Sequence, residues 1–353
     1  MAQHQHMAIR RDHGAGDVSI TATEILVPLN AAKAAATALG VLCYDGGVNL
    51  SGAEFTPNAL PGVLGTDYAF PTLAELTYYA NKGMMLVRLP FLWERIQPAL
   101  GGPLDPAHMA WLTSFAQFTP TMQIVLDAHN YGYYNGQLIG ASPGPTEAQF
   151  GNLWSQLATA FGGYPNVRFG LMNEPSALSL EIWLTTVNTS IAAIRATGAT
   201  NLITVPGLDF AGADTWITSD NAGVMIGVAD SGKNFLFEVH QYLDIDGSGT
   251  SQNAVDSTIL SQRLGAVTTW ARANNARLFL GEFGIANNST MLAAMIDGVS
   301  FMAQNADVWE SWAVWGGGPR WPNSYIYLIE PANLDQANQT DTTQMTALIP
   351  YLT

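Results

Sequence analysis

VRFGLMNEP, residues 167–175, reads as a buried parallel strand that runs into chemistry. Its first residues are β-branched or large and apolar, as a strand covered on both faces requires. Pro175 has no amide hydrogen and cannot continue a ladder, so the strand must stop before it. Asn173 and Glu174 are left at the carboxyl end. A strand-terminal turn with a solvated glutamate would read the same way. RLFLGEFG, residues 277–284, repeats the pattern, with an apolar run that ends in Glu282 between Gly281 and Gly284.

The chain around these stretches alternates strand-like and helix-like runs from residue 41 onward, the pattern of βα units on a parallel sheet. Strands are expected at 48–50, 84–89, 123–129, 167–173, 201–206, 235–240, 277–283 and 310–315. Helices are expected near 71–82, 106–118, 146–161, 179–197, 212–219, 254–274, 289–305 and 341–350. Thr146 with Gln149 makes a full capping-box signal, whereas Ser179 is followed three residues later by Ile182, which cannot reciprocate. Eight of each predicts an α/β fold, a (β/α)8 TIM barrel. An open doubly wound sheet is the alternative, but no GxGxxG follows the first strand.

In such a barrel the carboxyl ends of the strands form the functional face. The expected ends carry Arg88, His129 with Asn130, Asn173 with Glu174, His240 with Tyr242 just beyond, Glu282, and Trp315. One polar strand end means little; six on one face point to a site. Strands four and seven lie nearly opposite in an eight-stranded ring, so Glu174 and Glu282 face each other across its mouth. Glycoside hydrolysis requires such a pair, one carboxyl neutral and one ionised.

Composition fits that class and excludes others. The 353 residues suffice for one barrel of about 250 residues with insertions. A formal net charge of −15 and the lack of a basic stripe argue against nucleic acid. Charged residues are only 12 % of the chain, which suits a neutral polymer. Ten Trp residues supply flat faces for sugar rings, although at least half are expected to fill the core. Cys43, the single cysteine, is expected to be buried and free. No run approaches the roughly 20 apolar residues of a membrane helix, so no membrane partner is expected, and no secretory signal opens the chain.

Residues 1–40 fall outside the regular pattern and divide the chain into a leader with N-terminal extension and a catalytic domain at 41–353. MAQHQHM (1–7) resembles a leader whose His4 and His6 suit adventitious metal; 18–27 has strand character and 31–40 is Ala-rich. Asp244, Asp246 and Ser248 suggest a calcium loop, but position 12 counted from Asp244 is Val255, not the bidentate Glu that an EF-hand needs. His129 and His240 lack zinc-site spacing, so sugar contacts are the preferred reading. His108 reads as a surface helix residue. Trp93, Tyr133, Tyr134 and Trp321 lie in expected loops, as sugar subsites or as loop anchors.

The ordered segments GVNLSGAEF (47–55), VRLPFLWERIQP (87–98), LDAHNYGYYNGQLIG (126–140), FGLMNEP (169–175), FEVHQYLDIDGSGTS (237–251), GEFG (281–284) and YIYLIEP (325–331) resemble glycoside hydrolase family 5 of clan A, and within it the endo-β-1,4-glucanases, or cellulases. The resemblance spans about residues 41–350. It implies a retaining enzyme with Glu174 as acid/base, Glu282 as nucleophile and Arg88 holding the nucleophile ionised. It further implies Asn173 on the sugar 2-hydroxyl, and His129, His240 and Tyr242 around the central subsite, with Asn130 among the substrate-binding or supporting residues. Trp315 would be the stacking platform. No cofactor and no metal are implied.

The implied partner is a β-glucan, which places the enzyme outside the cytoplasm, secreted or periplasmic. Mannanase is the runner-up, with xyloglucanase and β-1,3-glucanase beside it, because the catalytic residues do not separate these activities. A non-catalytic glycan-binding barrel is disfavoured by the presence of both glutamates. A barrel aldolase would want a lysine at a strand end, and Lys33, Lys82 and Lys233 end none. No linker follows the barrel, so no carbohydrate-binding module is expected. The oligomeric state has no sequence signal.

Overall fold

The computed structural model describes residues 45–334 and 339–352. The 18–27 and 31–40 runs, His4, His6, Lys33 and Cys43 lie outside the described residues. Eight parallel strands close a barrel: β1 (Asp45–Leu50), β2 (Leu86–Phe91), β3 (Gln123–Ala128), β4 (Val167–Gly170), β5 (Ile203–Pro206), β6 (Phe235–His240), β7 (Leu278–Glu282) and β8 (Trp309–Gly317). Each pairs with its sequence neighbours, and β8 returns to β1 with Asp45 opposite Ser311.

Three expected strand ends move by two residues or more. β2 begins later and runs to Phe91, so Arg88 is its third residue, inside the barrel, rather than its end. β8 runs on to Gly317, so Trp315 also lies within a strand. β4 stops at Gly170, and an extended tail to Asn173 is held by Leu171 N–H on Thr204 O (3.1 Å) and Asn173 N–H on Ala128 O (2.8 Å).

The helices begin where their caps require. α1 (Leu73–Asn81) opens on a capping box between Thr72 and Glu75, and α3 (Glu147–Phe161) on the expected Thr146–Gln149 box. Between them lies α2 (Pro106–Ala116), capped by Asp105 with Pro106 at its first position. Ser179 caps α4 (Leu180–Ala196) one way only, at Ile182 N–H (3.3 Å). The fifth helix is the exception. Residues 212–219 form turns, and only α5 (Asn221–Val224) is helical before a 3-10 turn at Met225–Gly227. Asp209, Phe210 and Ala211 all have φ between 55° and 60°, a left-handed run from which no helix can start. α6 (Ile259–Ala273), α7 (Ser289–Gln304) and α8 (Thr343–Leu348) complete the ring, α6 starting later than expected.

Alternate residues of each strand face the barrel axis and stack in layers. At the amino-terminal end Arg168 pairs with Glu310 (2.9 Å), and Arg277 joins them (3.1 Å). Leu86, Val125, Leu236, Phe279 and Ala313 form an apolar plug around the axis. The next inward residue on β2, β3 and β6 is Arg88, Asp127 and Glu238. The plug closes the barrel from below, so its polar top opens only through the mouth. Eight of the ten Trp side chains are buried, including Trp93, Trp183 and Trp216 at 0 % exposure.

The segment after β8 is tied back to α1 by carboxyls. Glu330 Oε2 accepts from Tyr79 Oη (2.9 Å) and Gly318 N–H (2.7 Å), while Glu75 accepts from Thr72 N–H. Burial, with the Glu330 charge beside it, pushes the Glu75 carboxyl up to about 8. A carboxyl whose pKa rises on folding stabilises the fold fully below its unfolded value and loses that contribution as pH rises to the folded value. The wild type should therefore lose thermal stability between pH 5 and about 8 as this pair ionises. Glu75→Gln, which cannot ionise, should melt higher than wild type at pH 8. Melting curves of the two proteins that stay parallel across the window would refute this.

Candidate active site

Glu282 ends β7 and is held at both oxygens. Arg88 Nη1 donates to Oε1 (2.8 Å), and Tyr242 Oη donates to Oε2 (2.8 Å). Glu174 lies four residues beyond β4 with φ 42°, a conformation that costs a non-glycine residue and clusters at functional sites. That backbone turns its side chain onto His240, whose Nδ1 is 2.7 Å from Glu174 Oε1 and 3.8 Å from Glu282 Oε2. One oxygen of each glutamate and one His240 nitrogen all lie within 4.8 Å of one another. The structure thus brings together the two strand-end glutamates expected to meet.

The remaining expected residues take distinct places. Asn173 Oδ1 accepts from Arg88 Nη2 (2.8 Å), leaving its buried Nδ2 without a partner. His129 Nδ1 is 2.7 Å from Asp127 Oδ2, and its ring stacks with Trp315 at 5.6 Å and 19°. Trp321 meets Trp315 edge-on (5.9 Å) and stacks on Tyr325 at 3.9 Å. Asn130 faces the scaffold: its Oδ1 accepts from Trp93 N–H (2.7 Å), and its Nδ2 donates to Glu94 (2.6 Å).

Several aromatic and polar expectations resolve toward structure. Trp93 and Tyr134 pack edge to face at 4.8 Å in the interior and anchor loops. His108 is buried against Asp105 (2.8 Å), not on the surface. The Asp244 carboxylate accepts the backbone N–H groups of Gly249, Thr250 and Ser251 at 3.0–3.1 Å.

Four residues of the cluster escape the strand-end criterion. Asp127 and Glu238 lie 3.2 and 2.9 Å from Arg88 nitrogens, both buried. Asn49 Oδ1 accepts from Arg88 Nη1 (3.0 Å), and its amide donates to Gly281 O (2.8 Å). Tyr131, with φ 54°, donates its N–H to Asn173 O (3.1 Å) and puts its hydroxyl 3.4 Å from His129 Nε2. Strand periodicity contains the first two: Asp127 and His129 share a face of β3, as Glu238 and His240 share a face of β6.

The charges are interdependent. Burial lifts the Glu282 carboxyl above its ordinary value, the His240 and Arg88 charges oppose that rise, and Glu174 adds to it. Burial disfavours charge on His240, yet Glu282, Glu174 and Glu238 together lift it to about 10. The Glu174–His240–Glu282 spacing suits a metal ion. A metal, however, needs the lone pair of neutral imidazole, and the carboxylates around this ring favour its protonated form.

Residues 48–318 match the cellulase model of glycosyl hydrolase family 5, and the chain belongs to that family. It is 37 % identical over 292 residues to a probable endo-β-1,4-glucanase B of Aspergillus oryzae, covering 81 % of this chain and 85 % of that protein. Among solved structures it resembles an endo-β-1,4-glucanase of Xanthomonas axonopodis pv. citri: 41 % identity, TM-score 0.83, covering 88 % of this chain and 98 % of the other. It also resembles XacCel5A solved in complex with cellopentaose, at 40 % identity and TM-score 0.84, covering 88 % and 99 %.

Arg88→Met removes the cation nearest Glu282, so the Glu282 pKa should rise and the acidic limb of the pH–rate profile should move to higher pH. The same change strands buried carboxylates and should cost about 3–5 kcal/mol of stability. Arg88→Lys keeps the charge and should leave the limb in place. A limb unmoved in both variants would mean that Arg88 acts through packing or substrate contact.

Proposed function

We propose that this chain is a retaining endo-β-1,4-glucanase acting on cellulose and related β-glucans. The observation that supports the mechanism is that one oxygen of each glutamate and one nitrogen of His240 lie within 4.8 Å of one another. Retaining hydrolysis needs carboxyls about 5–5.5 Å apart, whereas inversion needs roughly 6.5–9.5 Å to admit water between them. The names of the relatives and the cellopentaose complex of XacCel5A support a β-1,4-glucan as substrate.

In the first step a Glu282 oxygen attacks the anomeric carbon as the glycosidic C–O bond breaks. The departing oxygen takes the Glu174 proton. Glu282, already aligned by Arg88 and Tyr242, needs little reorganisation to become the nucleophile. In the second step water attacks the same carbon, gives its proton to Glu174 and releases Glu282. The free Asn173 Nδ2 is placed to donate to the sugar 2-hydroxyl, a bond that strengthens as the oxocarbenium-like state forms. Trp315, held between His129 and Trp321, offers the ring platform. Asn130 supports the site by fixing the loop after β2. A polymer of this kind does not enter cells, so the enzyme works outside the cytoplasm. No helix among the described residues is long and apolar enough to cross a membrane.

The acid/base role is tested by leaving-group dependence. A sugar hydroxyl needs a proton to leave, and a nitrophenolate hardly does. General acid help is worth roughly 10²–10⁴-fold where it is needed. Glu174→Ala should therefore lose far more activity on cellulose oligomers than on aryl cellobiosides. With the activated substrate, mass spectrometry of the quenched variant should find a sugar adduct on a peptide containing Glu282. Equal losses on both substrates, with no adduct, would remove Glu174 from this role.

A further inference from the structure

Glu238 sits on β6 two residues before His240, buried to 1 % exposure. Its Oε1 lies 2.9 Å from Arg88 Nε and 3.2 Å from His240 Nε2, and its Oε2 accepts from Thr204 Oγ1. Arg88 in turn holds Glu282, and His240 holds Glu174. One carboxylate therefore touches both cations that grip the catalytic pair. Both ring nitrogens of His240 face a carboxylate oxygen, an arrangement that satisfies imidazolium and leaves neutral imidazole with a lone pair aimed at a negative charge.

We propose that Glu238 is the positioning residue of this active site: it fixes the direction and the protonation of His240, and through His240 and Arg88 it holds Glu174 and Glu282 in one geometry. β7 supplies independent support. A Cβ at Gly281 would strike a Glu238 oxygen and come within 2.8 Å of His240 Nε2, so glycine there makes room for this contact. A buried ion pair is weak support for stability, because desolvation costs several kcal/mol per ion; orientation is the better reason to keep one. Burial raises the Glu238 pKa, but Arg88 and His240 hold it at about 2, so it stays ionised while His240 titrates. The other charged groups facing Arg88 and His240 are Asp127 from β3, Glu174 beyond β4 and Glu282 from β7.

Nitrogen-15 NMR of histidine-labelled full chain reads the ring directly, with His240 assigned by the loss of its signals in His240→Gln. In wild type both His240 nitrogens should be protonated at pH 7. In Glu238→Gln the His240 midpoint should fall by about two pH units. Turnover of cellulose oligomers should fall by roughly 10- to 100-fold in kcat with KM little changed, the alkaline limb moving down with the midpoint. Glu238→Asp keeps the charge and should hold the midpoint within about one unit while kcat falls.

Gly281→Ala, which pushes the pair apart, should lower the midpoint too and serves if the Gln variant does not fold. An unchanged His240 midpoint, or a kcat loss equal at every pH, would overturn the proposal. The turnover arm rests on Glu174 and Glu282 being the catalytic pair. The NMR arm does not, so a moved midpoint with unaffected kcat would overturn the positioning role while leaving the Glu238–His240 coupling in place.

Discussion

A single guanidinium, enclosed at 0 % exposure, sits at the centre of this structure. Arg88 lies within 3.2 Å of carboxylate oxygens from β3, β6 and β7 and donates to amides from β1 and beyond β4. Five of the eight barrel segments are thereby fixed to one planar cation. Its Nη1 donates to Asn49 and Glu282 and its Nη2 to Asn173, a planar fork that an ammonium could not match. The carboxylates return the favour: burial opposes the Arg88 charge, and Asp127, Glu238 and Glu282 overcome it. Removing Arg88 would leave buried carboxylates without their counterion, which costs more than the intact network contributes.

The fold makes this affordable by separating layers. The plug of Leu86, Val125, Leu236, Phe279 and Ala313 and the belt of helices provide burial. The ionic layer above provides direction. Charged residues are only 12 % of the chain, and Arg88, Asp127, Glu238 and Glu282 among them are buried. A low local dielectric strengthens every interaction among them and makes the site sensitive to each proton.

Most of this was legible in the sequence because strand ends are marked by chemistry. Glu282 and His240 end β7 and β6 as expected, whereas β4 stops at Gly170, short of Pro175. Arg88 and Trp315 were found by residue type but assigned to strand ends, whereas they are inward residues inside β2 and β8. The same oversight hid Asp127 and Glu238: a charge within an apolar run looks like a boundary unless period two is counted onto the barrel axis. The expected helix at 212–219 failed because its composition is compatible with a helix but its approach is not. Asp209, Phe210 and Ala211 are left-handed, and no cap precedes it. His108 and Trp93 looked like surface and loop residues, and only tertiary packing on Tyr68 and Tyr134 buries them.

The central proposal is that Glu174 and Glu282, with an oxygen of each within 4.8 Å, act by double displacement rather than by activation of an intervening water. Proton NMR of cellopentaose during its first turnovers, before mutarotation mixes the anomers, reads this directly. The account predicts that the new reducing end appears first as the β-anomer. An initial α-anomer would mean that water attacks in a single step, and the assignment of Glu282 as nucleophile would fall.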